Sequence, residues 1–556
     1  MVGFDHLNDD VIVYLFELIL QIDSDESGSR RTALVPLSST CKWLRELCKP
    51  LMFRQIHRTI GVAPPTRRFF LRRSLYTYVQ HLTVKDCCLD QKLGRDMLNF
   101  PNMADCEPPP GVPHVYVCRV FIGPVIQRVL KHMPSLAKLS LYTHSGVLHG
   151  PSWTFLRFAL SDLPRLREFE MTGLTFCPLV LPPESLELET CAPLTAFRYE
   201  AILTRGRKFA VSAEKDALSL VLGQVHDTLV TLALPSEPAP VALMSRCTWP
   251  NLRELKLRGT RWAEPRTPIV LLFATMPHLR SLVLELVVPE DASPEAIWPP
   301  GLPQSTEFPW PELEELTVAN PHPSDELFTH LPPSLRTLAL PACPRKCARP
   351  WLWQFEDGRH WFPRVPTFHL SLGSDVLGIL ERCSRSASRL RHLEIEYGAD
   401  EREGDLLRHI GVAFPDLTSL SLYRYRQSEE LVVPVADLAP PLAALTSLHT
   451  LFAHLDLETA PPMKRTAAYG TGGSLYFADA LDRYWDSLGD VALLLARSLS
   501  PSLERVSLWA PTNGIGPGRE NFSVFWDGSG KDGAASGPRI RREAFTCHDR
   551  EDVWGV

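Results

Sequence analysis

Residues 250–257 read "PNLRELKL", in which a proline is followed by leucines at positions 252, 255 and 257. Leu255 and Leu257 are two residues apart, so in a β-strand both side chains point to the same face. Leu252 stands just before them, at the turn that enters the strand. The stretch therefore predicts a short strand with one apolar face, anchored at its entrance by Leu252.

The same L-x-x-L-x-L pattern recurs along most of the chain. Clear copies are "PSLAKLSL" (134–141), "PHLRSLVL" (277–284), "PELEELTV" (311–318), "PSLRTLAL" (333–340) and "PDLTSLSL" (415–422). The eleven central copies, which begin between Leu166 and Leu448, are spaced by about 28 residues on average, and leucine-rich repeats have a period of 20–29 residues. One such unit cannot bury its apolar face alone, whereas stacked units form a continuous core.

The chain thus resembles the leucine-rich-repeat family over roughly residues 75–510. Members of that family usually carry asparagine or cysteine eight residues after the first leucine, where the side chain satisfies backbone groups inside the turn. This sequence has Cys343 there in one copy, but Thr260, Val287 and Pro321 in others. The resemblance implies an α/β fold: an irregular leucine-rich-repeat solenoid, a horseshoe with uneven and partly helical connecting segments.

Residues 1–60 lie outside the repeat and predict three short helices. The stretch "NDDVIVYLFELILQI" (8–22) has helical apolar spacing after Asn8 or Asp9 as the capping residue. A polar loop follows, and "ALVPLSSTCKWLRELCKPLMF" (33–53) supplies a second and a third apolar segment. Cys41 lies on the apolar stripe of this region, so a buried, unreactive thiol is expected there.

This N-terminal pattern resembles an F-box with a lengthened loop after its first helix. The matching residues are Leu7, Asp9, Asp10, Val11, Leu15 and Phe16, then Leu37, Ser38, Cys41, Lys42 and Leu44. Asn8 replaces the family's proline, and Trp43 stands one place before the family's tryptophan position. The resemblance implies docking on a Skp-type adaptor, and through it on a cullin–RING ubiquitin ligase. The adaptor-binding residues would be Leu7, Val11, Leu15, Phe16, Leu37 and Leu44.

The expected organisation is an F-box-like helical domain at residues 1–60, the solenoid at 61–510, and a C-terminal cap or flexible tail at 511–556. It implies a substrate-recognition subunit of an SCF-type (Skp–cullin–F-box) E3 ubiquitin ligase, in which the repeats hold a protein substrate. Physical argument alone leaves a second interpretation open. The N-terminal helices could serve only to cap the repeat array, in a protein-interaction scaffold without ligase association.

Strand positions that flank the inward leucines should form the concave, solvent-facing surface, and these positions are the candidates for substrate contact. Aromatic side chains among them are typical interface anchors. Acidic side chains concentrate between Glu285 and Glu396, which favours a basic partner segment. The predicted substrate-binding residues are Tyr142, Lys256, Arg258, Glu394, Glu396, Tyr423, Phe452 and Trp509.

The amino-acid composition disfavours several other functional classes. The 58 Lys and Arg against 64 Asp and Glu give a net charge of −6, which disfavours binding to nucleic acid or to an acidic membrane surface. The 13 cysteines are scattered, so free thiols and a cytoplasmic or nuclear location are expected. Cys343 and Cys347 in "CPRKC" lack a second pair at zinc-finger spacing. The sequence predicts no metal, no cofactor and no enzymatic activity.

Overall fold

The computed structural model describes residues 8–23, 34–60, 71–86, 116–117, 124–143, 149–177, 186–200, 212–262, 265–288, 292–303, 307–347, 369–387, 389–427, 432–461, 478–510, 518–526 and 538–543. The chain forms two compact units, Met1–Ile202 with Phe209–Thr231, and Leu203–Lys208 with Leu232–Val556. These units follow a different division from the regions 1–60, 61–510 and 511–556, whose boundaries stay a prediction.

The first unit combines helices with a parallel sheet. Its helices are α1 (Asp9–Asp23), α2 (Leu34–Thr40), α3 (Lys42–Met52), α4 (Pro124–Leu130), α5 (Trp153–Ser161) and α6 (Ser212–Val225), with a 3-10 helix at Arg73–Tyr78. Its strands are β1 (Gln55–Ile60), β2 (His81–Asp86), β3 (Tyr116–Val117), β4 (Lys138–Thr143), β5 (His149–Gly150), β6 (Glu168–Thr172) and β7 (Ala196–Glu200). The sheet order is β1-β2-β4-β6-β7, all parallel, and β3 pairs separately with β5.

The second unit carries a longer sheet. Its strands are β8 (Thr231–Pro235), β9 (Glu254–Thr260), β10 (Ser281–Val287), β11 (Glu315–Val318), β12 (Thr337–Leu340), β13 (His392–Gly398), β14 (Ser419–Tyr425), β15 (Thr450–His454), β16 (Arg505–Ala510), β17 (Gly518–Phe525) and β18 (Arg539–Arg542). They are ordered as in the sequence; β9 to β16 are parallel, and β17 and β18 are antiparallel. The sheet is open rather than closed on itself.

Helices connect many of these strands. They are α7 (Val241–Met244), α8 (Ile269–Leu272), α9 (Gly373–Cys383), α10 (Glu403–Ala413), α11 (Val435–Leu438) and α12 (Ala478–Ser498), with 3-10 helices at Glu326–Thr329 and Pro440–Leu442. Helix α10 is amphipathic: Leu406, Leu407 and Ile410 are buried at spacings that share one face. Within the described ranges, no helix is long and apolar enough to cross a membrane. The fold is therefore mixed α/β with a long parallel sheet.

The core of the second unit follows directly from the repeated leucines. Leu255 is in register with Leu282, and Leu282 with Leu316, so the second leucine of each copy stacks on its neighbours. All three side chains are buried, as is Leu252 at the entrance of β9. Burying one leucine contributes about 1.5–3 kcal/mol, so the stacked row is a major source of stability. The predicted copy that begins at Val365 lies outside the described residues.

One turn between strands uses a side chain that the eight-residue rule did not identify. Asn320, seven residues after Leu313, has a φ of +48°, and its amide donates to the carbonyl oxygens of Leu286 (3.0 Å) and Cys343 (3.3 Å). Asparagine tolerates this left-handed conformation better than most residues. It therefore satisfies backbone groups of both neighbouring turns.

Candidate functional site

The N-terminal helices form a small core of their own. Asn8 caps α1, because its side-chain oxygen accepts a hydrogen bond from Asp10 N at 3.2 Å. Ile12 and Phe16 on α1 are buried against Leu34 and Cys48. Phe16, predicted to contact an adaptor, is only 1% exposed and fills this internal core instead.

The other predicted adaptor-binding residues differ in accessibility. Val11 and Leu15 are exposed on α1, whereas Leu37 and Leu44 are partly buried and pack against the small core. Leu7 lies outside the described residues. Val11 and Leu15 are thus accessible to a partner, whereas Leu37 and Leu44 contribute to the packing of the three helices.

Three further apolar side chains on these helices face water, and none of them was among the predicted adaptor-binding residues. Tyr14 is 60% exposed, and Val35 and Trp43 are exposed as well. Tyr14 shares a face of α1 with Val11 and Leu15, since helical residues three and four apart are neighbours. The apolar spacing in the sequence predicted the helix, but it did not indicate which face of the helix would remain exposed.

Cys41 is exposed rather than buried, so the expectation for this thiol is wrong. It occupies the position before α3, where its sulfur accepts a hydrogen bond from Leu44 N at 3.5 Å. Cys48, seven residues or about two helical turns further on, is the thiol that enters the core. The apolar stripe was identified in the right segment, but the break between α2 and α3 turned Cys41 away from it.

The predicted substrate-contact residues fall at separate places. Tyr142 on β4, in the first unit, is half-buried beside Lys85, whose ammonium lies 5.6 Å from the ring centre. Lys256 and Arg258 lie on β9 in the second unit, and Arg258 pairs with Glu285 at 3.2 Å. Tyr142 thus belongs to the first unit, and Lys256 and Arg258 belong to the second.

The remaining predicted residues do come together, on four adjacent strands. Parallel pairing places Glu396 opposite Tyr423, and Tyr423 opposite His454. The rings of Tyr423 and Phe452 are 4.9 Å apart, and those of His454 and Trp509 are 4.7 Å apart. Tyr425 and His454, which were not among the predicted residues, lie with them. We call the whole group the acidic–aromatic cluster; its members are Glu394, Glu396, Tyr423, Tyr425, Phe452, His454 and Trp509.

Exposure was predicted for Glu394, Glu396, Tyr423, Phe452 and Trp509, and it is wrong for the last four. Glu396 is 1% exposed, and Tyr423, Phe452 and Trp509 are buried. The reason is a segment at residues 342–347, here called the basic strap, whose residues hydrogen-bond to and pack against the cluster. The prediction of exposure is wrong because residues from a segment between two strands cover this face. The periodicity of the strands carries no information about such a segment.

The contacts of the basic strap are mainly electrostatic. Arg345 Nη2 donates to Glu394 Oε1 at 2.5 Å, and Arg345 Nη1 is 3.7 Å from Glu396 Oε2. The guanidinium also lies 4.5 Å from the Tyr423 ring centre, and Lys346 Nζ lies 4.6 Å from that of Tyr425. Each cation therefore has an aromatic partner, and Arg345 has two carboxylates as well.

Backbone amides of the basic strap add directional bonds. Glu396 accepts from Ala342 N at 3.0 Å and from Lys346 N at 2.8 Å. Cys347 N donates to the Tyr425 hydroxyl at 2.9 Å, and that hydroxyl donates to Glu396 Oε1 at 3.0 Å. One buried carboxylate thus organises the strap and a neighbouring strand together.

Burial shifts the titration of these groups. It raises the pKa of Glu396, against the opposite influence of Arg345 and of the amide and hydroxyl donors. It also raises the pKa of the Cys343 and Cys347 thiols to about 12, so both stay protonated at neutral pH and are poor nucleophiles. Burial, with Lys346 nearby, lowers the pKa of His454 to about 3, so its imidazole is neutral.

Arg345, Lys346 and Tyr425 are the site residues that sequence reasoning missed. The stretch "CPRKC" (343–347) was considered for its cysteines, yet its two adjacent cations were the informative feature. In the described part of the chain, no group of three or more His, Cys, Asp or Glu side chains could hold a metal ion. No family model matches the sequence, and a search of curated proteins finds no significant match.

The fold and the two groups of residues define a mixed α/β protein with two separate candidate binding regions. One consists of exposed apolar side chains on the N-terminal helices. The other is the acidic–aromatic cluster with the basic strap on it. The first region leaves apolar side chains in water, and the second pairs charges and aromatic rings within the chain.

Proposed function

We propose that this protein is a non-catalytic substrate-recognition subunit of an SCF-type E3 ubiquitin ligase. In this proposal α1–α3 are an F-box that docks a Skp-type adaptor, and the repeated strands are an irregular leucine-rich-repeat solenoid that binds a protein substrate. The sequence resemblances support this proposal, and so do two structural observations: exposed apolar side chains on α1–α3 and a stacked row of buried leucines.

The exposed apolar side chains of α1–α3 carry the proposal. Val11, Tyr14 and Leu15 line one exposed face of α1, while Ile12 and Phe16 on the other face already fill the local core. Apolar side chains left in water after the core is complete are typical of a surface that another protein covers. The same three helices carry the sequence pattern that resembles an F-box.

The buried leucines support the second part of the proposal. Each of Leu252, Leu279 and Leu313 is buried two residues before its strand begins, and the next leucine enters the shared core. A turn leucine followed by an in-register strand leucine is the arrangement that stacked leucine-rich repeats require. Such an array presents many strand-end and loop positions to a partner while its core holds the spacing.

The test is co-purification of the full chain with a Skp-type adaptor and a cullin. The wild type should retain both, and Val35→Glu should weaken adaptor capture at least tenfold, because an unpaired charge buried at an interface costs several kcal/mol. Val412→Glu is the matched control: Val412 is 72% exposed on α10 in the second unit. That variant should capture the adaptor as the wild type does.

Undiminished capture by folded Val35→Glu protein, repeated with Val11→Glu, would remove α1–α3 from the docking surface. Failure of the wild type itself to retain an adaptor would instead favour the repeat scaffold without ligase association. The two negative results are distinct, since only the second concerns the ligase.

A further inference from the structure

The basic strap is held by groups that suit a basic ligand in general. The guanidinium of Arg345 contacts both the carboxylate of Glu394 and the ring of Tyr423. Carboxylate pairing and ring stacking are the two interactions that favour arginine over other side chains. The cluster therefore has the chemistry of a receptor for an arginine side chain, whichever polypeptide supplies it.

The neighbouring cation repeats this arrangement one residue along. Lys346 lies over Tyr425, and its backbone amide donates to Glu396. Two consecutive basic residues are thus matched by two glutamates and two tyrosines on β13 and β14. Pairing of this kind gives specificity for sign and spacing as well as affinity.

The basic strap leaves hydrogen-bonding capacity unused at the cluster. Among the described residues, Trp509 Nε1 and Arg345 Nη1 are buried donors with no hydrogen-bond partner, and Trp509 is only 9% exposed. Buried donors normally find an acceptor. A segment with one more carbonyl or hydroxyl oxygen near Trp509 would therefore fit the cluster more completely than residues 342–347 do.

We propose that the acidic–aromatic cluster is a binding site for a basic, arginine-containing segment of a partner protein, and that residues 342–347 are an internal occupant that this segment displaces. This deepens the proposed function, since the partner would be the ligase substrate. The tether sets a threshold: an internal segment competes at an effective concentration of about millimolar. To displace residues 342–347, a partner must therefore bind the arginine site and make additional contacts of its own.

The probe is a synthetic peptide with the sequence of residues 341–348, both cysteines replaced by serine, with blocked ends. It is added to the wild-type full chain at up to about 5 mM, comparable with the tethered strap. Hydrogen exchange is followed at the amides of Lys346 and Cys347, which donate to Glu396 and Tyr425. Amides of β13 serve as the internal reference.

Displacement should raise exchange at Lys346 and Cys347 at least threefold, while β13 keeps its protection. A peptide with glutamine in place of arginine should need at least tenfold more to give the same effect. Unchanged exchange at 5 mM peptide, about the effective concentration of a tether, would overturn the proposal, and so would equal action of both peptides. In either case the basic strap would be a fixed part of the core.

Two variants measure the site directly by peptide titration. Arg345→Gln vacates the arginine position and should bind the arginine peptide at least tenfold more tightly than the wild type does. Adding Glu394→Gln, at a side chain that is 25% exposed, to Arg345→Gln should weaken binding of the same peptide at least fivefold relative to Arg345→Gln alone. If Arg345→Gln does not fold, the wild-type exchange experiment decides alone. Adaptor capture should be unaffected by Glu394→Gln, so failure here is distinguishable from failure of the ligase proposal.

Discussion

His454 should make the second unit sensitive to mild acid. Its imidazole is buried among Tyr423, Tyr425 and Trp509, and burial together with Lys346 lowers its pKa from 6.5 to about 3. In the unfolded chain the ring takes up a proton near pH 6.5, whereas in the folded chain it stays neutral. The unfolded state therefore binds more protons below pH 6.5, so stability is lost as the pH falls towards 3.

The magnitude follows from that window. Each pH unit below 6.5 removes about 1.4 kcal/mol of unfolding free energy, so lowering the pH from 7 to 5 should remove about 2 kcal/mol through this one group. His454→Gln cannot take up the proton and should lack this component, whatever its stability at pH 7. Other titrating groups affect both proteins alike, so the difference between them isolates His454.

The assay is urea unfolding at pH 7 and pH 5, with pulse hydrogen exchange in peptides that cover β15 to assign the transition to this region. His449→Gln is the control, because His449 is an exposed histidine just before the same strand. That variant should keep the acid-dependent loss of the wild type. An equal loss in wild type and His454→Gln would refute the reasoning and mean that the ring is protonated or solvated in the folded protein.

Two further substitutions test the core of the second unit. Leu282→Ala on β10 should lower the free energy of unfolding by about 2–5 kcal/mol, because it leaves a cavity in the stacked leucine row. Val283 is half-buried on the opposite face, so Val283→Ala should lower it clearly less in the same urea titration. Similar losses would contradict the inward–outward assignment. Arg424→Met should cost about 3–5 kcal/mol, because Arg424 donates to Glu403 at 2.7 and 3.0 Å inside the core. The Tyr397 hydroxyl also donates to Glu403, at 3.0 Å. A neutral effect in thermal melts at neutral pH would show that Tyr397 alone is enough to stabilise the Glu403 carboxylate.

Much of the fold was readable from local patterns, for a physical reason. A strand has a side-chain period of two, so Leu255 and Leu257 had to share a face. Such an apolar face is buried because its exposure to water is unfavourable. The recurrence of the pattern predicted the in-register row in which Leu255, Leu282 and Leu316 lie. The first N-terminal helix was likewise predicted by its apolar spacing and by Asn8 or Asp9 as the capping residue, of which Asn8 caps α1.

The sites depended on tertiary structure. Periodicity assigned Glu396 and Tyr423 to the face opposite the leucines, but whether that face meets water depends on the connecting segments, which carry no period. Residues 342–347 supply Arg345 there, about 50 residues before the glutamates in sequence. On α1, helical spacing alone does not decide whether the face with Phe16 or the face with Tyr14 meets a partner. Only the packing of α1 against Leu34 and Cys48 decided that Phe16 is core and Tyr14 is exposed, because burial is a property of neighbours that are distant in sequence.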